Sequence, residues 1–293
     1  MNKLTKRVLS VFLAVAMIVT VLPQVATTQA ATKTEKMTLY KGEIVKNYVY
    51  GTLKSVSSSK KAVATVKKDS GNAVITAKKP GKATISIKTN RGTFKYAVTV
   101  KKLDVTATLS DMGNGNMLLT VKNNTKQTFT YVSVDYVIKN DQGETIKTDT
   151  KLVDDVVAGK TVYDYVYYDS YHYTIDETLC SAKVVGDDRS LTAKYKNVTS
   201  SIKTTIDEDT SAADTIKLTI KSKNTQKKEA AYVDHYVLIY NSMDQVIGLK
   251  TVSFYLKAGK LDTNSTSIDT SKYSYYKDYA YHKVVTVAYS TVY

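Results

Sequence analysis

The chain has 293 residues and contains no tryptophan, one cysteine, two prolines and twelve glycines. The single cysteine, Cys180, excludes an intrachain disulfide, so each folding unit must be stable through its hydrophobic core. We expect Cys180 to be a small buried hydrophobic side chain, with pairing between chains as the alternative. The scarcity of proline and glycine excludes a flexible low-complexity linker. Compact modules in series are therefore expected.

The N-terminus has the order of a secretory signal. Three basic residues precede an apolar run over residues 8–23, and the small-residue segment Ala26–Ala31 follows. This pattern predicts a signal peptide over residues 1–30. The alternative is an uncleaved membrane anchor, for which an apolar run of about 15 residues is short. We predict a secreted, extracellular protein without a stable membrane anchor after cleavage.

The positive charge is unevenly distributed. The formal net charge is +15, but residues 33–102 alone hold 17 basic residues against Glu35, Glu43 and Asp69. Residues 103–293 hold 22 basic and 24 acidic residues, so they are close to neutral. A concentrated positive field attracts anionic surfaces and weakens with salt. The first module is therefore the candidate for electrostatic binding.

Alternation of polar and apolar residues dominates the stretch from Ser55 to Val100. Such a period of two places one face of a strand on a core and the other in water. Pro80 and Gly81 interrupt one of these segments, and this pair is typical of a tight turn between two strands. Tyr, Val, Thr and Ile are frequent along the rest of the chain, which favours an all-β fold.

The same stretch resembles the bacterial Ig-like domain, group 2. The motifs that carry the resemblance follow in the family's order: Lys41–Glu43, Ser58–Val66, Val74–Ile85 and Tyr96–Val100. The chain departs from the family in lacking the tryptophan that often precedes the serine pair. The resemblance implies a β-sandwich over residues 37–102. It also implies an adhesion, spacer or wall-associated role.

An internal repeat occupies the second half of the chain. Tyr131–Ile146 parallels Tyr232–Ile247, and the string Ala-Gly-Lys at Ala158–Lys160 recurs one hundred residues later at Ala258–Lys260. The turn signals Asn140–Gly143 and Asn241–Asp244 lie between apolar alternations and predict hairpins. Each unit has the size and strand spacing of a β-sandwich. The pattern is similar to the FxLYD-type secreted sandwich domains of bacteria, although the FxLYD string is missing.

These observations predict an all-β chain of three tandem Ig-like β-sandwich domains after a cleaved signal peptide. The predicted bounds are 1–30 for the signal peptide, 37–102 for the Ig-like domain, 103–195 for repeat A and 198–293 for repeat B.

Two clusters of tyrosines lie at similar places in the two repeats. Tyrosine offers a flat apolar face with a polar tip, which suits stacking on sugars or on a partner's surface. The alternative is that half of the rings pack inward and the rest coat a sheet. The candidate stacking residues are Tyr163, Tyr165, Tyr167, Tyr171, Tyr273, Tyr275, Tyr276 and Tyr281.

Lysines lie on or beside the alternating strands of the first module. We expect them to contact an anionic envelope polymer such as teichoic acid, with solubility alone as the alternative. Nucleic acid is not an expected partner of an exported protein. The candidate residues are Lys60, Lys61, Lys67, Lys68, Lys78, Lys79, Lys82 and Lys88.

Catalytic and metal-binding patterns find little support in the sequence. His172, His235 and His282 lack metal-ligand spacing, and no calcium-loop, nucleophile-elbow or phosphate-loop string occurs. We therefore expect no enzymatic activity, no metal and no cofactor.

The function that the sequence favours is a non-catalytic module for adhesion or binding at a bacterial cell surface. Its partner would be an anionic cell-wall polymer, a surface glycan or another surface protein. A carbohydrate-binding module that uses the tyrosine clusters and an exported accessory or assembly subunit are the alternatives.

Overall fold

The computed structural model describes residues 34–185, 195–272 and 274–291. In these ranges the regular structure consists of twenty β-strands and two short 3₁₀-helices. The all-β, β-sandwich fold predicted from the sequence is confirmed. The predicted signal peptide and Tyr273 lie outside the described residues.

The first sandwich is formed by seven strands arranged in two sheets. One sheet has the order β1-β7-β6-β3, with β1 parallel to β7, and the other has the order β2-β5-β4. Alternation along β6 turns Ala83, Ile85 and Ile87 into the core between the sheets. The strands are β1 (Thr34–Tyr40), β2 (Ile44–Asn47), β3 (Leu53–Ser58), β4 (Ala64–Asp69), β5 (Asn72–Ala77), β6 (Gly81–Thr89) and β7 (Gly92–Lys101).

The Pro80–Gly81 turn connects two strands as predicted, but the strands do not form a hairpin. β5 and β6 lie in different sheets, so the chain crosses from one layer of the sandwich to the other at this turn. Gly81 has φ 148°, and a Cβ added to it would lie 3.0 Å from Cγ2 of Val63. A side chain there would therefore crowd the buried Val63.

The second sandwich comprises the sheets β11-β10-β13 and β12-β9-β8. The Asn140–Gly143 turn closes the antiparallel β10–β11 hairpin, as its sequence predicts. The elements are β8 (Val105–Asp111), β9 (Asn116–Asn123), β10 (Phe129–Lys139), β11 (Thr145–Val156), β12 (Thr161–Tyr167), the 3₁₀-helix η1 (Glu177–Leu179) and β13 (Ser181–Val185).

The third sandwich comprises the sheets β14-β20-β17-β18 and β15-β16-β19. The Asn241–Asp244 turn closes its β17–β18 hairpin. The elements are β14 (Tyr195–Asn197), the 3₁₀-helix η2 (Thr199–Ser201), β15 (Ile202–Ala212), β16 (Thr215–Asn224), β17 (Ala231–Tyr240), β18 (Val246–Leu256), β19 (Leu261–Asp269) and β20 (Tyr281–Thr291).

The second and third sandwiches repeat one topology strand for strand, with β14 added at the edge of the third. The repeat extends to single hydrogen bonds. The buried Asn123 donates from Nδ2 to the carbonyls of Gln127 and Val156, both at 2.8 Å. Asn224 makes the same two bonds in the third sandwich, to Glu229 at 2.9 Å and to Leu256 at 3.2 Å.

The two repeats pack against each other through the outer faces of two sheets. Strand β17 turns Val237 and Ile239 into the core of its own sandwich, while the alternate residue Tyr236 belongs to the core of the second sandwich. Leu238 forms a small cluster with Met112 and Leu118 of the second sandwich. A strand that is buried on both faces therefore connects the repeats.

The equivalent asparagines provide a stability test. Replacing Asn224 by alanine leaves the buried carbonyl of Leu256 and the part-buried carbonyl of Glu229 without their donor, and we expect it to destabilise the protein by about 2 kcal/mol. Asn264→Ala, on exposed β19, is the matched control and should change stability by less than about 0.5 kcal/mol. Urea unfolding followed by circular dichroism measures both. Equal effects of the two substitutions would contradict the role assigned to Asn224.

Candidate binding surfaces

All eight candidate lysines of the first sandwich are exposed, but they do not form one patch. Four of them lie in two adjoining turns, because the carbonyl of Val63 accepts hydrogen bonds from the backbone N–H groups of Lys78 at 2.7 Å and Lys79 at 3.2 Å. The N–H of Val63 in turn donates to the carbonyl of Lys60. Lys61 follows in the same turn, so four ammonium groups are presented at one end of the sandwich.

Lys82 and Lys88 lie on the outer face of the four-stranded sheet. They alternate on β6 with the core residues, and the strand register places Lys95 of β7 and Lys36 of β1 on the same face. Threonines and serines occupy most of the other outward positions there. The sequence prediction missed Lys36 and Lys95, although both alternate with core residues. We call this surface the basic sheet face, defined by Lys36, Lys82, Lys88 and Lys95.

The remaining candidates, Lys67 and Lys68, lie on β4 in the opposite sheet. The Nζ of Lys68 donates to the carbonyl of Lys54 across the gap between the two sheets. This bond makes Lys68 part of the sandwich edge. Lys67 stands on the outer face of its own sheet, away from the basic sheet face.

The acidic residues of the first sandwich do not share the basic sheet face. Glu43 is 1% exposed, and its Oε2 accepts from the backbone N–H of Tyr40 at 2.9 Å. The Oδ2 of Asp69 lies 3.8 Å from the Nζ of Lys46, and both residues belong to the three-stranded sheet on the other side of the sandwich. Glu35 occupies the other row of β1, opposite Tyr96. The basic sheet face therefore carries lysines without a carboxylate among its outward positions.

The tyrosines of the first cluster differ in exposure. Tyr163, Tyr165 and Tyr167 alternate on the outer face of β12, but the ring of Tyr163 is covered by Tyr236 at a centroid distance of 5.5 Å. Tyr165 and Tyr167 are 50% and 60% exposed. Tyr171, in the loop after β12, is the most exposed of the cluster. Tyr163 is thus part of the contact between the repeats, while the other three side chains are at least half exposed.

The second cluster shows the same division between structural and open rings. Tyr281 stacks on Tyr240 with 4.7 Å between centroids, and its hydroxyl donates to Oδ1 of Asp244 at 2.5 Å. Tyr276 is half-buried, whereas the ring of Tyr275 is 77% exposed.

Exposed members of both clusters meet at a groove between the repeats. Its narrow part, of about 240 Å³, is lined by Tyr165 of the second sandwich and Tyr276 of the third. Its wide part, of about 630 Å³, is lined by Tyr275. Met112 and Asn114 border both parts, so the two form one continuous surface. We call it the inter-repeat groove. The sequence carried no signal for this meeting, because the two clusters are about 110 residues apart.

A second cavity between the repeats, of about 200 Å³, is lined by carboxylates. Burial raises the pKa of Asp155 from 3.8 to about 6, against a hydrogen bond donated by the Tyr289 hydroxyl, and the charges of Asp234 and Asp154 raise it further. Burial also raises the pKa of Asp234, although Ser253 Oγ donates to it at 2.6 Å. Asp155 and Asp234, at the contact between the repeats, therefore bind protons more tightly than exposed carboxylates do.

His172, His235 and Cys180 lie in three different environments. His235 is fully buried between Ser222 Oγ at 2.7 Å and Thr286 Oγ1 at 3.0 Å, and burial lowers its pKa to about 4. His172 is exposed, and its Nδ1 lies 2.5 Å from Oδ2 of Asp169. Cys180 packs at the edge of the second core, and burial raises its pKa. Within the described ranges, no group of three or more potential ligands could hold a metal ion.

Comparison with known proteins adds no family. No protein-family model and no curated protein matches the chain. Among solved structures, a protein of unknown function from Bacteroides ovatus has 10% identity and a TM-score of 0.16, covering 89% of this chain and 98% of its own. A tandem CBM22 domain of Xyn10C from Paenibacillus barcinonensis has 11% identity and a TM-score of 0.13, and the alignment covers 90% of this chain and 92% of that one. Structural similarity at this level does not indicate a shared function.

No helix in the described ranges is long and apolar enough to span a membrane.

Asp155 makes stability depend on pH. Because its pKa is higher in the folded state, the folded chain binds more protons between about pH 4 and 6, and stability falls as the pH rises through this window. We expect Asp155→Asn to raise stability at pH 7.5 by on the order of 1–2 kcal/mol, after allowance for solvent screening, and to change it little at pH 4. Asparagine also tolerates the left-handed φ of 52° at this position.

Thermal unfolding across this pH range measures the effect. Exposed Asp214→Asn, in the turn between β15 and β16 and outside this cavity, is the control and should leave the pH profile as it is in the unmodified protein. Parallel profiles for Asp155→Asn and the unmodified protein would show that Asp155 does not titrate in this window.

Proposed function

We propose that this chain is a secreted, non-catalytic binding protein of a bacterial surface, which contacts anionic envelope polymers through its first sandwich. The observation that carries the proposal is the basic sheet face, where Lys36, Lys82, Lys88 and Lys95 share one side of a sheet without an outward carboxylate. Rows of ammonium groups on a rigid surface suit repeated phosphates of a polymer better than a single small anion.

Three further features support the proposal. The N-terminal segment has the pattern of a secretory signal, and an exported protein meets the polymers of the cell wall. The motifs within residues 37–102 resemble those of bacterial Ig-like domains of group 2, which serve as adhesion or wall-associated modules. The exposed Lys60, Lys61, Lys78 and Lys79 extend the positive field along one end of the same sandwich.

The basic sheet face gives a direct test. Changing Lys36, Lys82, Lys88 and Lys95 together to glutamate should weaken binding to isolated teichoic-acid-bearing walls on the order of tenfold or more at low salt, because counterion release is lost. Co-sedimentation with the walls over a series of NaCl concentrations measures this. Walls stripped of teichoic acid should bind the unmodified protein as weakly as the variant.

A matched control keeps the change in net charge and moves its position. Exposed Lys223, Lys227, Lys228 and Lys257 of the third sandwich are changed to glutamate instead. This variant should keep most of its wall binding. An equal loss in both variants, or binding that does not decline with salt, would rule out the basic sheet face as the contact.

A further inference from the structure

We propose that the inter-repeat groove is a second binding site, which takes a neutral oligosaccharide. Two aromatic residues from different sandwiches stand at its narrow part, Tyr165 on β12 and Tyr276 in the loop before β20. Sugar rings have apolar faces formed by C–H groups, and aromatic rings provide the flat surfaces on which these faces stack. This ligand class differs from the anionic polymer proposed for the first sandwich.

The two rings stand close to each other across the narrow part. Burial raises the pKa of the Tyr276 phenol, and the nearby Tyr165 phenol raises it further. The Nζ of Lys151 lies 5.7 Å from the centre of the Tyr165 ring, but the side chain of Tyr165 is 50% exposed, so about half of its surface is accessible to a ligand. Tyr275 adds a third, more exposed ring in the wide part. The aromatic surfaces thus follow the groove from end to end.

Gly248 fixes the position of Tyr276. A Cβ added to this glycine would lie 2.2 Å from Cε1 of the Tyr276 ring, so the ring rests directly on the bare backbone of β18. Gly248 does not have a positive φ, and its backbone would accept alanine. The glycine is therefore required by the ring and not by the local chain conformation. Tyr276 is held in place before any ligand arrives.

The floor of the groove is formed by direct contacts between the two sandwiches. The Nδ2 of Asn114 donates to the carbonyl of Ile247 at 3.0 Å, which ties the β8–β9 turn of the second sandwich to β18 of the third. Beneath it, Met112, Leu118 and Leu238 form a buried apolar cluster shared by the two sandwiches. A site that is formed in advance loses little conformational entropy when it binds a ligand. The total volume lies in the range of about 300–1,000 Å³ that is usual for small-molecule sites.

The charges in the wide part are mixed, with three carboxylates against two ammonium groups, which favours a neutral ligand over a strongly charged one. Asp111, Glu177 and Asp278 line it together with Lys272 and Lys277. Side-chain amides are present as well, from Asn114 and Gln245. Mixed carboxylates, amides and ammonium groups offer both donors and acceptors to hydroxyl groups, without a strong field of one sign. Binding of a neutral sugar here should therefore be insensitive to salt.

The test is isothermal titration calorimetry of the full chain with five neutral hexasaccharides: β-1,4-linked glucose, xylose, mannose and N-acetylglucosamine, and α-1,4-linked glucose. We expect at least one of them to bind with a Kd below about 1 mM, and the Kd to stay within about twofold between low salt and about 1 M NaCl. The double variant Tyr165→Ser, Tyr275→Ser should raise this Kd at least tenfold. Both residues are exposed, so the fold should be retained.

Two further variants test whether sugar binding depends on the groove itself. Tyr171→Ser removes a ring of the same cluster that lies outside the groove, and it should bind as the unmodified protein does. Gly248→Ala displaces the Tyr276 ring and should weaken binding at least threefold, with an unchanged circular dichroism spectrum. The variant with four glutamates on the basic sheet face should keep oligosaccharide binding, so failure of one proposal does not imply failure of the other.

Three results would overturn the proposal. The first is that none of the five hexasaccharides gives a heat of binding at about 5 mM. The second is that a hexasaccharide still binds equally well after Tyr165 and Tyr275 are replaced. The third is that binding disappears at high salt.

Discussion

The arrangement of the second and third sandwiches depends on the burial of strand β17 on both of its faces. One row of its side chains, including Val237 and Ile239, fills the core of the third sandwich, and the other row, with Tyr236 and Leu238, packs against the second. A sheet in a single sandwich would leave the second row in water. Because this row is apolar or aromatic except for Asp234, the two repeats share buried surface. The inter-repeat groove and the carboxylate-lined cavity both lie along that contact.

Tyrosine suits such a contact because its ring is apolar and its hydroxyl needs a partner. In the buried part of the contact the hydroxyls have hydrogen-bond partners: Tyr289 bonds to the carboxylate of Asp155, and Tyr236 bonds to the backbone of Tyr163. At the border the rings are open, as in Tyr165 and Tyr275. The same residue type therefore provides the apolar contact between the repeats and the aromatic surface of the groove. This chain, which has no tryptophan, uses tyrosine in both places.

Much of the fold could be predicted from alternation and turn residues. The period of two along β6 separates Ile85 and Ile87 from Lys82 and Lys88, and the structure has the same division. Alternation does not tell which sheet a strand joins, so the crossing at Pro80–Gly81 was not predicted. Nor does it tell whether an outer row faces water or a second sandwich, since the Tyr-rich rows of β12 and β17 suit either environment. The groove was beyond prediction for that reason, because it requires the packing of one repeat on the other.

The strand with two buried faces has a mechanical consequence. Pulling the third sandwich away from the second would expose Tyr236 and Leu238 to water. Between the first and second sandwiches, the described residues provide an edge-to-face pair of Tyr40 and Phe129, with 5.1 Å between ring centroids. Under tension along the chain, the first sandwich should separate as an independent body while the two repeats resist extension together. The protein would then respond to force as two units of unequal length, which separate directly after the lysine-rich sandwich.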